Sequence, residues 1–245
     1  MVNLMEDKQI FHQNKITNSF YLEEDRRYKT KDSFDFVLEK IEKYLQNRKK
    51  ASLCDIGCAT GDFIWSLLNH NFRSDLTITG KDINEEMIEI ARQRMPMIEF
   101  CVGNGFETDG EFKYDIITCM GVLYLYENPI DIINRILSQI NDGGICYIFG
   151  HFNQYGYKVK YEYSKSTQMG IERFCDYAHD KMEISKWLEK NGLEHKWYDF
   201  EIKTRLSYKE NNPLRVWTEE MKNGSLLQVD GLDRIKKQYL LEIFI

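Results

Sequence analysis

The stretch that decides the fold is ASLCDIGCATGD, residues 51–62. It starts as a short apolar run and ends in a turn rich in small residues, and the next residues, DFIWSLLNH, have the apolar spacing of a helix. A strand, a tight loop and a helix are therefore predicted in that order. Gly57 and Gly61 allow the loop to turn sharply and bring its backbone close to a ligand, since neither residue has a Cβ atom.

Strands and helices alternate on both sides of this stretch. Residues 33–47 place apolar side chains at helical spacing, with Ser33 as the expected helix cap. The other strands are expected in LTITGKD, IEFCVGN, YDIITCM, GGICYIFG, LEHKWYDFEIKT and KQYLLEIFI, and the other helices in EEMIEIARQRM, PIDIINRILSQI and MEISKWLEKNG, the last stopped by Gly192. This order predicts an α/β fold of the Rossmann-like, doubly wound type, with a mostly parallel seven-stranded sheet, an antiparallel C-terminal strand and an additional N-terminal helix.

Composition and charge narrow the classes of function. The chain is 42% hydrophobic and 29% charged, and it has no apolar run of about 18 residues. Residues 1–15 carry acids and amides where a signal peptide would need an apolar stretch, so we expect a cytoplasmic protein without membrane contact. The net charge is −6 and no basic tract is longer than residues 48–50, which argues against a nucleic-acid partner. The 6 cysteines lie mostly in apolar runs without zinc spacing, so buried thiols and no metal are expected.

Two acids narrow the choice of ligand. Asp82 stands about 20 residues beyond the loop, at the end of the next predicted strand, where a carboxylate can accept hydrogen bonds from ribose hydroxyls. Asp55 suits a ligand with an ammonium group better than a pyrophosphate. The spacing of Gly57 and Gly61 also departs from the G-x-G-x-x-G pattern of dinucleotide sites. A ribose-containing ligand with an amino-acid end is therefore favoured over a nicotinamide dinucleotide.

From about residue 50 to residue 150 the chain resembles the class I S-adenosylmethionine-dependent methyltransferases, of the type that acts on small molecules. Residues 55–61 match the family pattern D-x-G-x-G-x-G, except that Ala59 replaces the middle glycine. Residues 80–87 resemble the second motif, in which Asp82 would hold the ribose and Ile83 would pack on the adenine.

Residues 103–106, GNGF, are similar to the third motif of the family. Asn104 stands where an aspartate is usual, and its side-chain carbonyl can still accept a hydrogen bond from the adenine amino group. Residues 114–124 and 141–144 resemble the fourth strand with its following loop and the turn into the fifth strand. The resemblance implies S-adenosyl-L-methionine as the cofactor and S-adenosyl-L-homocysteine as the product. The residues implied to bind the cofactor are Asp55, Gly57, Cys58, Ala59, Gly61, Asp82, Ile83, Met87, Asn104, Gly105, Phe106 and Met120.

The length of 245 residues fits a single domain. We expect an N-terminal helical segment over 1–50, a cofactor-binding core over 51–150 and the C-terminal half of the sheet over 151–245. Residues 151–180 and 211–232 lack clear periodicity, and long connections of this kind often carry binding sites. They are predicted to be insertions that cap the substrate.

The catalytic candidates follow the fourth and fifth strands, because ligands of such sheets lie beyond the carboxyl ends of the strands. His151 comes directly after the predicted fifth strand and is expected to titrate near neutral pH, as a general base would. Its alternative role is to cap backbone groups. Tyr124 and Tyr126 follow the fourth strand. Tyr124 occupies a place where many family members have a histidine, so it is a catalytic candidate whose alternative role is packing.

The predicted reaction is methyl transfer to an oxygen or nitrogen atom of a small polar metabolite. A nucleotide-linked sugar or a phosphorylated intermediate of surface-glycan or natural-product biosynthesis is the first hypothesis, by analogy with similar-looking enzymes. Two sets of side chains are candidates for contact with such a substrate, with solvated charge and lid packing as the alternatives. They are the basic residues Lys158, Lys160, Arg205 and Arg215, and the tyrosines Tyr155, Tyr157, Tyr161 and Tyr163.

The sequence leaves other functions open as alternatives to methyl transfer onto a small molecule. An RNA or protein methyltransferase is disfavoured by the acidic net charge and by CMGVLY, residues 119–124, which stands where an N-P-P-Y type motif would be. A non-catalytic scaffold subunit that binds the cofactor is a further alternative, and a nicotinamide dehydrogenase is a remote one.

Overall fold

The apolar runs of the sequence pair side by side in one sheet. A computed structural model describes residues 31–107, 112–168, 170–210, 214–232 and 234–245. Its strands are β1 (Lys50–Ile56), β2 (Asp75–Asp82), β3 (Glu99–Val102), β4 (Tyr114–Met120), β5 (Ile140–Asn153), β6 (Val159–Thr167), β7 (Gly170–Asp180), β8 (His195–Phe200), β9 (Trp217–Glu220), β10 (Leu226–Val229) and β11 (Gln238–Phe244). Its α-helices are α1 (Asp32–Leu45), α2 (Asp62–Asn69), α3 (Glu85–Arg94), α4 (Pro129–Leu137) and α5 (Lys181–Lys190), and a 3-10 turn spans Leu123–Leu125.

The main sheet has the strand order β3-β2-β1-β4-β5-β11-β8. The pairs from β3 to β5 are parallel, whereas β11 is antiparallel to both β5 and β8. The C-terminal strand is therefore the antiparallel one, and the predicted Rossmann-like fold is confirmed. The order reverses between β1 and β4, and a crevice at such a reversal is where α/β sheets bind ligands.

Helices cover both faces of the sheet, which explains why its central strands are apolar throughout. On one face α1, α2 and α3 contribute side chains such as Val37, Ile64 and Ile88 to a buried cluster. On the other face α4 and α5 contribute Ile133 and Leu188 to a second cluster. The side chains of β1 feed both clusters, so burial fixes this strand, and the loop that follows it, at the centre of the fold.

The structure corrects the predicted cap of the first helix. The residue before α1 is Lys31, which makes no side-chain capping bond, and Ser33 lies inside the helix. Asp32 opens the helix, and its carboxylate accepts hydrogen bonds from the backbone N–H groups of Lys203 and Thr204 at 2.6 and 2.7 Å. The part of the predicted N-terminal segment before residue 31 lies outside the described residues.

The end of α5 is as predicted, whereas β5 is longer than predicted at both ends. Gly192 follows α5 with a φ of 70°, the left-handed conformation that glycine adopts at helix ends. β5 starts at Ile140, where the sequence pattern suggested the end of a helix, and it runs to Asn153. His151 therefore lies inside β5, opposite Gln238 of β11, and not in a loop after the strand.

The two segments predicted as irregular lids contain regular hairpins. β6 pairs antiparallel with β7, from Val159 opposite Ala178 to Thr167 opposite Gly170. The end of β7 pairs in parallel with the end of β5, where Phe152 lies opposite His179. Within 211–232, β9 and β10 form a two-stranded sheet. In β6, Val159, Tyr161 and Tyr163 alternate with polar residues. That is the period of a strand, and the hairpin could have been read from it.

In the described ranges, no helix has the length and apolar character needed to cross a membrane. Nor do those residues include three or more His, Cys, Asp or Glu side chains grouped so that they could bind a metal ion. Of the 6 cysteines, Cys101 is partly exposed and the others are buried, as expected.

Candidate functional site

The loop after β1 has an unusual backbone conformation. Gly57 and Gly61 have φ values of 76° and 82°, and Ala59 has a φ of 49°. Ala59 is the one non-glycine residue with positive φ in the described part of the chain. An L-residue in this region costs about 1–2 kcal/mol, and such strain tends to accumulate at ligand sites. The strained residue stands where the family pattern has its middle glycine.

The glycines of the loop are also required by packing. A Cβ atom on Gly57 would lie 2.3 Å from Cγ2 of Val122, and one on Gly61 would lie 2.3 Å from Cε of Met95. The N–H groups of Gly57 and Cys58 donate to the carbonyl of Lys81, at 2.7 and 3.1 Å. The loop is thus held between the end of β2 and the segment after β4.

Asp55 lies under this loop and is 2% exposed. The hydroxyl of Thr118 on β4 donates to its Oδ1 atom at 2.7 Å. Burial, together with the nearby charge of Asp82, raises the pKa of Asp55 to about 7, although the hydrogen bond from Thr118 acts in the opposite direction. A buried carboxyl group of this kind gains stabilisation when a cation arrives, because the cation favours its ionised form.

Asp82 ends β2 and is hydrogen-bonded to the loop after β1. Its Oδ2 atom accepts from the N–H of Ala59 and its Oδ1 atom from the N–H of Asn84, both at 2.9 Å. Burial still raises its pKa, although these bonds work in the opposite direction. Asp82 and the adjacent Ile83 are partly exposed, so both can contact a ligand from this edge.

The residues of the third motif differ in their accessibility. Asn104 is partly exposed, and its Oδ1 atom accepts from the N–H of Phe106 at 3.1 Å, which leaves a second lone pair for a ligand. Phe106 itself is 3% exposed and packs edge to face on Tyr126 with 5.1 Å between ring centroids. Met87 is 1% exposed. The side chains of Phe106 and Met87 are therefore almost fully buried, as that of Asp55 is.

The ends of four neighbouring strands, β1 to β4, therefore bring most of the predicted binding residues to one edge. We call this the acidic edge, and it consists of Asp55, Gly57, Cys58, Ala59, Gly61, Asp82, Ile83, Asn104, Gly105 and Met120. Its two carboxyl groups, its glycine-lined approach and the amide of Asn104 fit a ligand with an ammonium group, a sulfonium, a ribose and an adenine. S-adenosylmethionine carries all four.

A cavity of about 440 Å³ lies at the ends of β5, β7 and β11, and β5 is the neighbour of β4 in the sheet. We call it the tyrosine cavity. The described residues that line it are Tyr124, His151, Phe152, Asn153, Tyr155, Tyr157, Val159, Tyr161, Asp176, Tyr177, Ala178, Arg234, Ile235, Lys236, Lys237 and Tyr239. Both predicted catalytic residues are among them, with their rings 6.2 Å apart and edge to face.

The protonation of His151 differs from what the sequence led us to expect. Its Nδ1 atom lies 3.2 Å from the carbonyl oxygen of Lys237. Since a carbonyl only accepts, Nδ1 carries the proton, and Nε2 is left as an acceptor. Burial lowers the pKa of His151 to about 3, and the charges of Lys236 and Arg234 contribute. The expected titration near neutrality is therefore wrong, and the imidazole is neutral at physiological pH.

Several other sequence candidates lie away from the cavity. Tyr126 is buried against Phe106. Tyr163 stacks on Phe174 with 5.3 Å between centroids. The basic candidates Lys158, Lys160, Arg205 and Arg215 are not among the lining residues. Two of these four are held in surface ion pairs, Lys160 with Glu162 at 2.7 Å and Arg205 with Glu220 at 2.8 Å.

Sequence reasoning missed a buried ionic network that forms one wall of the tyrosine cavity. Arg234 Nη1 donates to both carboxylate oxygens of Asp176, at 2.7 and 2.9 Å, and Arg234 Nη2 lies 2.8 Å from Oδ2 of Asp230. Lys236 Nζ lies 3.4 Å from the same oxygen of Asp230. The one available signal was the group of three basic residues, Arg234, Lys236 and Lys237, directly before an apolar terminal strand.

Comparison with known proteins agrees with this geometry. The sequence model of a family described as "Methyltransferase domain" matches residues 47–197, more than half of the chain. Carboxy-S-adenosyl-L-methionine synthase of Campylobacter lari is 27% identical over 183 residues, which cover 66% of this chain and 73% of that protein. Ubiquinone biosynthesis O-methyltransferase of Coxiella burnetii is 26% identical over 165 residues, 62% of this chain and 68% of that protein.

Solved structures show the same fold. An amino pentose methyltransferase from Micromonospora echinaspora, determined with S-adenosylmethionine bound, superposes with a TM-score of 0.54 at 14% identity and covers 94% of this chain and 96% of that one. Magnesium protoporphyrin IX methyltransferase from Synechocystis superposes with a TM-score of 0.50 at 16% identity, over 87% of this chain and 79% of that one. The chain therefore belongs to the methyltransferase-domain family, as an S-adenosylmethionine-dependent methyltransferase of class I with S-adenosylmethionine as its cofactor.

Proposed function

We propose that the protein transfers the methyl group of S-adenosylmethionine to an oxygen or nitrogen atom of a small polar molecule bound in the tyrosine cavity. The observation that carries this proposal is the position of the cavity at the end of the strand next to the acidic edge. β4 and β5 are neighbours, β4 ends at the acidic edge, and Tyr124 after β4 and His151 near the end of β5 line the cavity. A cavity of about 440 Å³ is within the size range of small-molecule sites.

The acidic edge is proposed to hold the cofactor. Asp55 receives the ammonium group, Asp82 the ribose hydroxyls, and Ile83 and Asn104 the adenine. The backbone of the loop at Gly57, Cys58, Ala59 and Gly61 lies against the amino-acid portion, with Gly105 and Met120 beside it and with Phe106 and Met87 beneath. When bound, the cofactor supplies an electrophilic methyl group on a positively charged sulfur. The chain supplies position, charge complementarity and exclusion of water.

His151 is proposed to orient the acceptor and take up its proton. Its unprotonated Nε2 can accept a hydrogen bond from an acceptor O–H or N–H. A hydroxyl group becomes strongly acidic as its oxygen is methylated, so a weakly basic imidazole is sufficient for that proton to leave, whereas the proton of a methylated amine can leave to solvent. The neutral state of His151 at physiological pH keeps this acceptor available. Tyr124 is proposed to pack beside it.

A His151→Ala variant should lower the rate of methyl transfer about 100-fold, within the range for a general base, while its affinity for S-adenosylhomocysteine stays unchanged. The rate should be measured with labelled cofactor at several pH values. Tyr208→Phe is a suitable control, because it alters an exposed aromatic side chain that does not line the cavity. A His151→Ala variant that keeps the full rate at every pH would remove the proposed role.

The first hypothesis for the acceptor stays a nucleotide-linked sugar or a phosphorylated intermediate. It is supported by the hairpin of β6 and β7, whose residues line the cavity within the predicted capping segment 151–180. We also propose that the chain is divided as predicted, into a helical segment over 1–50, a cofactor-binding core over 51–150 and a C-terminal half over 151–245 that caps the substrate. An acceptor in RNA is the second candidate, since tRNA U34 carboxymethyltransferase of Pseudoalteromonas atlantica is 22% identical over 45% of this chain.

Two measurements test the proposed function. Isothermal titration should show S-adenosylhomocysteine binding at micromolar or tighter affinity and no comparable binding of a nicotinamide dinucleotide. Incubation with methyl-labelled S-adenosylmethionine and a fractionated metabolite extract should then transfer label to a small molecule. Label found only in RNA or protein, together with a salt-dependent gel shift for RNA, would favour the alternative. Cofactor binding without transfer to any fraction would favour a scaffold subunit.

A further inference from the structure

We propose that the tyrosine cavity selects an acceptor that combines a planar ring with an anionic group, a carboxylate or a phosphate, and that Lys236 and Lys237 bind this group. The inference rests on the proposed function, because it concerns the acceptor site of that reaction. It goes further by stating which chemistry the chain recognises and which side chains recognise it.

The walls of the cavity favour a ring. Seven of the lining residues are aromatic, and they come from the segment after β4, from β5, β6, β7 and β11, and from the turn between β5 and β6. They are Tyr124, Phe152, Tyr155, Tyr157, Tyr161, Tyr177 and Tyr239. Tyr155 and Tyr157 are 69% and 70% exposed at the rim. Aromatic faces on several sides of a small cavity suit a flat partner that stacks or packs edge to face.

The charges of the cavity favour an anion. Its lining contains three cationic side chains, Arg234, Lys236 and Lys237, and one acidic side chain, Asp176. Asp230 lies behind the wall with a side chain that is 0% exposed, and it partly offsets this excess. The net charge of the group is still positive, although the protein as a whole carries −6. A local excess of this sign in an acidic protein attracts an anionic ligand.

Arg234 acts as the positioning residue of this wall. Its guanidinium is 9% exposed, is shared between Asp176 and Asp230, and lies over the rings of Tyr161 and Tyr163, with 5.0 and 5.3 Å between Cζ and the centroids. Lys236 is held more loosely, 3.4 Å from Asp230 and 4.0 Å from Asp176. Lys237 is exposed, and its carbonyl accepts the hydrogen bond of His151. The two lysines are thus the cations available to a ligand beside the imidazole.

The test uses three small probes on the full chain, titrated with and without saturating S-adenosylhomocysteine. 4-Hydroxybenzoate has both a ring and a charge, 4-hydroxybenzamide has the ring alone, and glucose 1-phosphate has a charge on a non-aromatic ring. We expect 4-hydroxybenzoate to bind about tenfold more tightly than either of the others. Lys236→Gln and Lys237→Gln should each weaken its binding several-fold and leave binding of the amide unchanged.

Lys186→Gln is the matched control, because Lys186 lies exposed on α5 and does not line the cavity. This variant should bind all three probes like the wild type, and all variants should bind S-adenosylhomocysteine equally. Equal binding of the acid and the amide would overturn the anion assignment, and tighter binding of glucose 1-phosphate would overturn the ring assignment. No binding of any probe would overturn the inference as a whole. A protein that binds the probes as expected but not S-adenosylhomocysteine would contradict the proposed function and leave the specificity of the cavity standing.

Discussion

The acidic edge and the tyrosine cavity occupy adjacent parts of the same sheet but are built in opposite ways. The acidic edge comes from the ends of β1, β2 and β4 and from the short loops after β1, β2 and β3, with two carboxyl groups at its centre. The tyrosine cavity combines side chains from 124, 151–161, 176–178 and 234–239, and its charged wall is basic. One site is thus encoded locally and suits a cationic cofactor, whereas the other is assembled by long-range strand pairing and suits an anion.

The largest expected effect comes from the wall of the cavity. Arg234→Gln leaves the buried carboxylates of Asp176 and Asp230 without their main partner, so we expect a loss of about 3–5 kcal/mol in the free energy of unfolding. Urea denaturation measures it. Arg205→Gln is the control, because the ion pair of Arg205 with Glu220 is exposed and should contribute no more than about 1 kcal/mol. Equal losses in the two variants would refute the view of Arg234 as the anchor of this wall.

The next effect separates packing from backbone strain at the acidic edge. Gly57→Ala places a Cβ atom against Val122 at a φ of 76°, so we expect a loss of about 2 kcal/mol in stability and at least a 30-fold loss in affinity for S-adenosylhomocysteine. Gly143→Ala has nearly the same φ, 75°, and open space around the new Cβ atom. That control should lose about 1 kcal/mol in stability and no affinity. Calorimetric titration of both variants checks the difference, and equal affinities would contradict a ligand at this loop.

A smaller effect is expected on the pH dependence of stability, through the buried carboxyl group of Asp55. Because the pKa of Asp55 is raised to about 7 from its ordinary 3.8, its ionisation destabilises the folded state, and this contribution to stability falls as pH rises from about 4 to about 7. Asp55→Asn keeps an oxygen that can accept from Thr118 and removes the charge. We expect the variant to be more stable than the wild type at pH 8, by about 1–3 kcal/mol, with a smaller difference at pH 5.

The same variant should bind S-adenosylhomocysteine about tenfold more weakly than the wild type, since it loses the charge-assisted bond to the ammonium group. Thermal unfolding from pH 4 to pH 9 and calorimetric titration provide both readouts. Stability curves of variant and wild type that run parallel across this range would rule out the raised pKa.

The smallest effect is expected at the strained alanine. Ala59→Gly relieves the left-handed conformation but makes the unfolded chain more flexible, so we expect a net gain of no more than about 1 kcal/mol and an unchanged affinity for the cofactor. Ala51→Gly in β1 is the control and should lose about 1 kcal/mol, because no strain is relieved there. A loss of stability in Ala59→Gly equal to that of the control would show that Ala59 is not strained.

The sequence allowed prediction of the acidic edge because its determinants lie close together in the chain. Asp55, the glycines of the loop and Asp82 fall within 28 consecutive residues, and each lies at or just beyond the end of a strand that the apolar pattern reveals. The mostly parallel, doubly wound sheet and its antiparallel terminal strand followed from the alternation of elements, since connection rules leave few topologies.

The features that could not be predicted from the sequence depend on contacts between residues that are distant in the chain. Asp32, and not Ser33, opens α1 in contact with Lys203 and Thr204, at a separation of about 170 residues that no local capping pattern encodes. Arg234 meets Asp176 across 58 residues, so its role could not be read from its neighbours. The lowered pKa of His151 has the same origin, because it depends on burial and on the charges of Lys236 and Arg234.

A crystal structure with S-adenosylhomocysteine bound tests the division between these two sites most directly. The account predicts the ammonium group at Asp55, the ribose at Asp82, the adenine between Ile83 and Asn104, and the sulfur directed toward Tyr124 and the open cavity. A ligand that lies inside the tyrosine cavity, or that leaves Asp55 and Asp82 without contact, would contradict it.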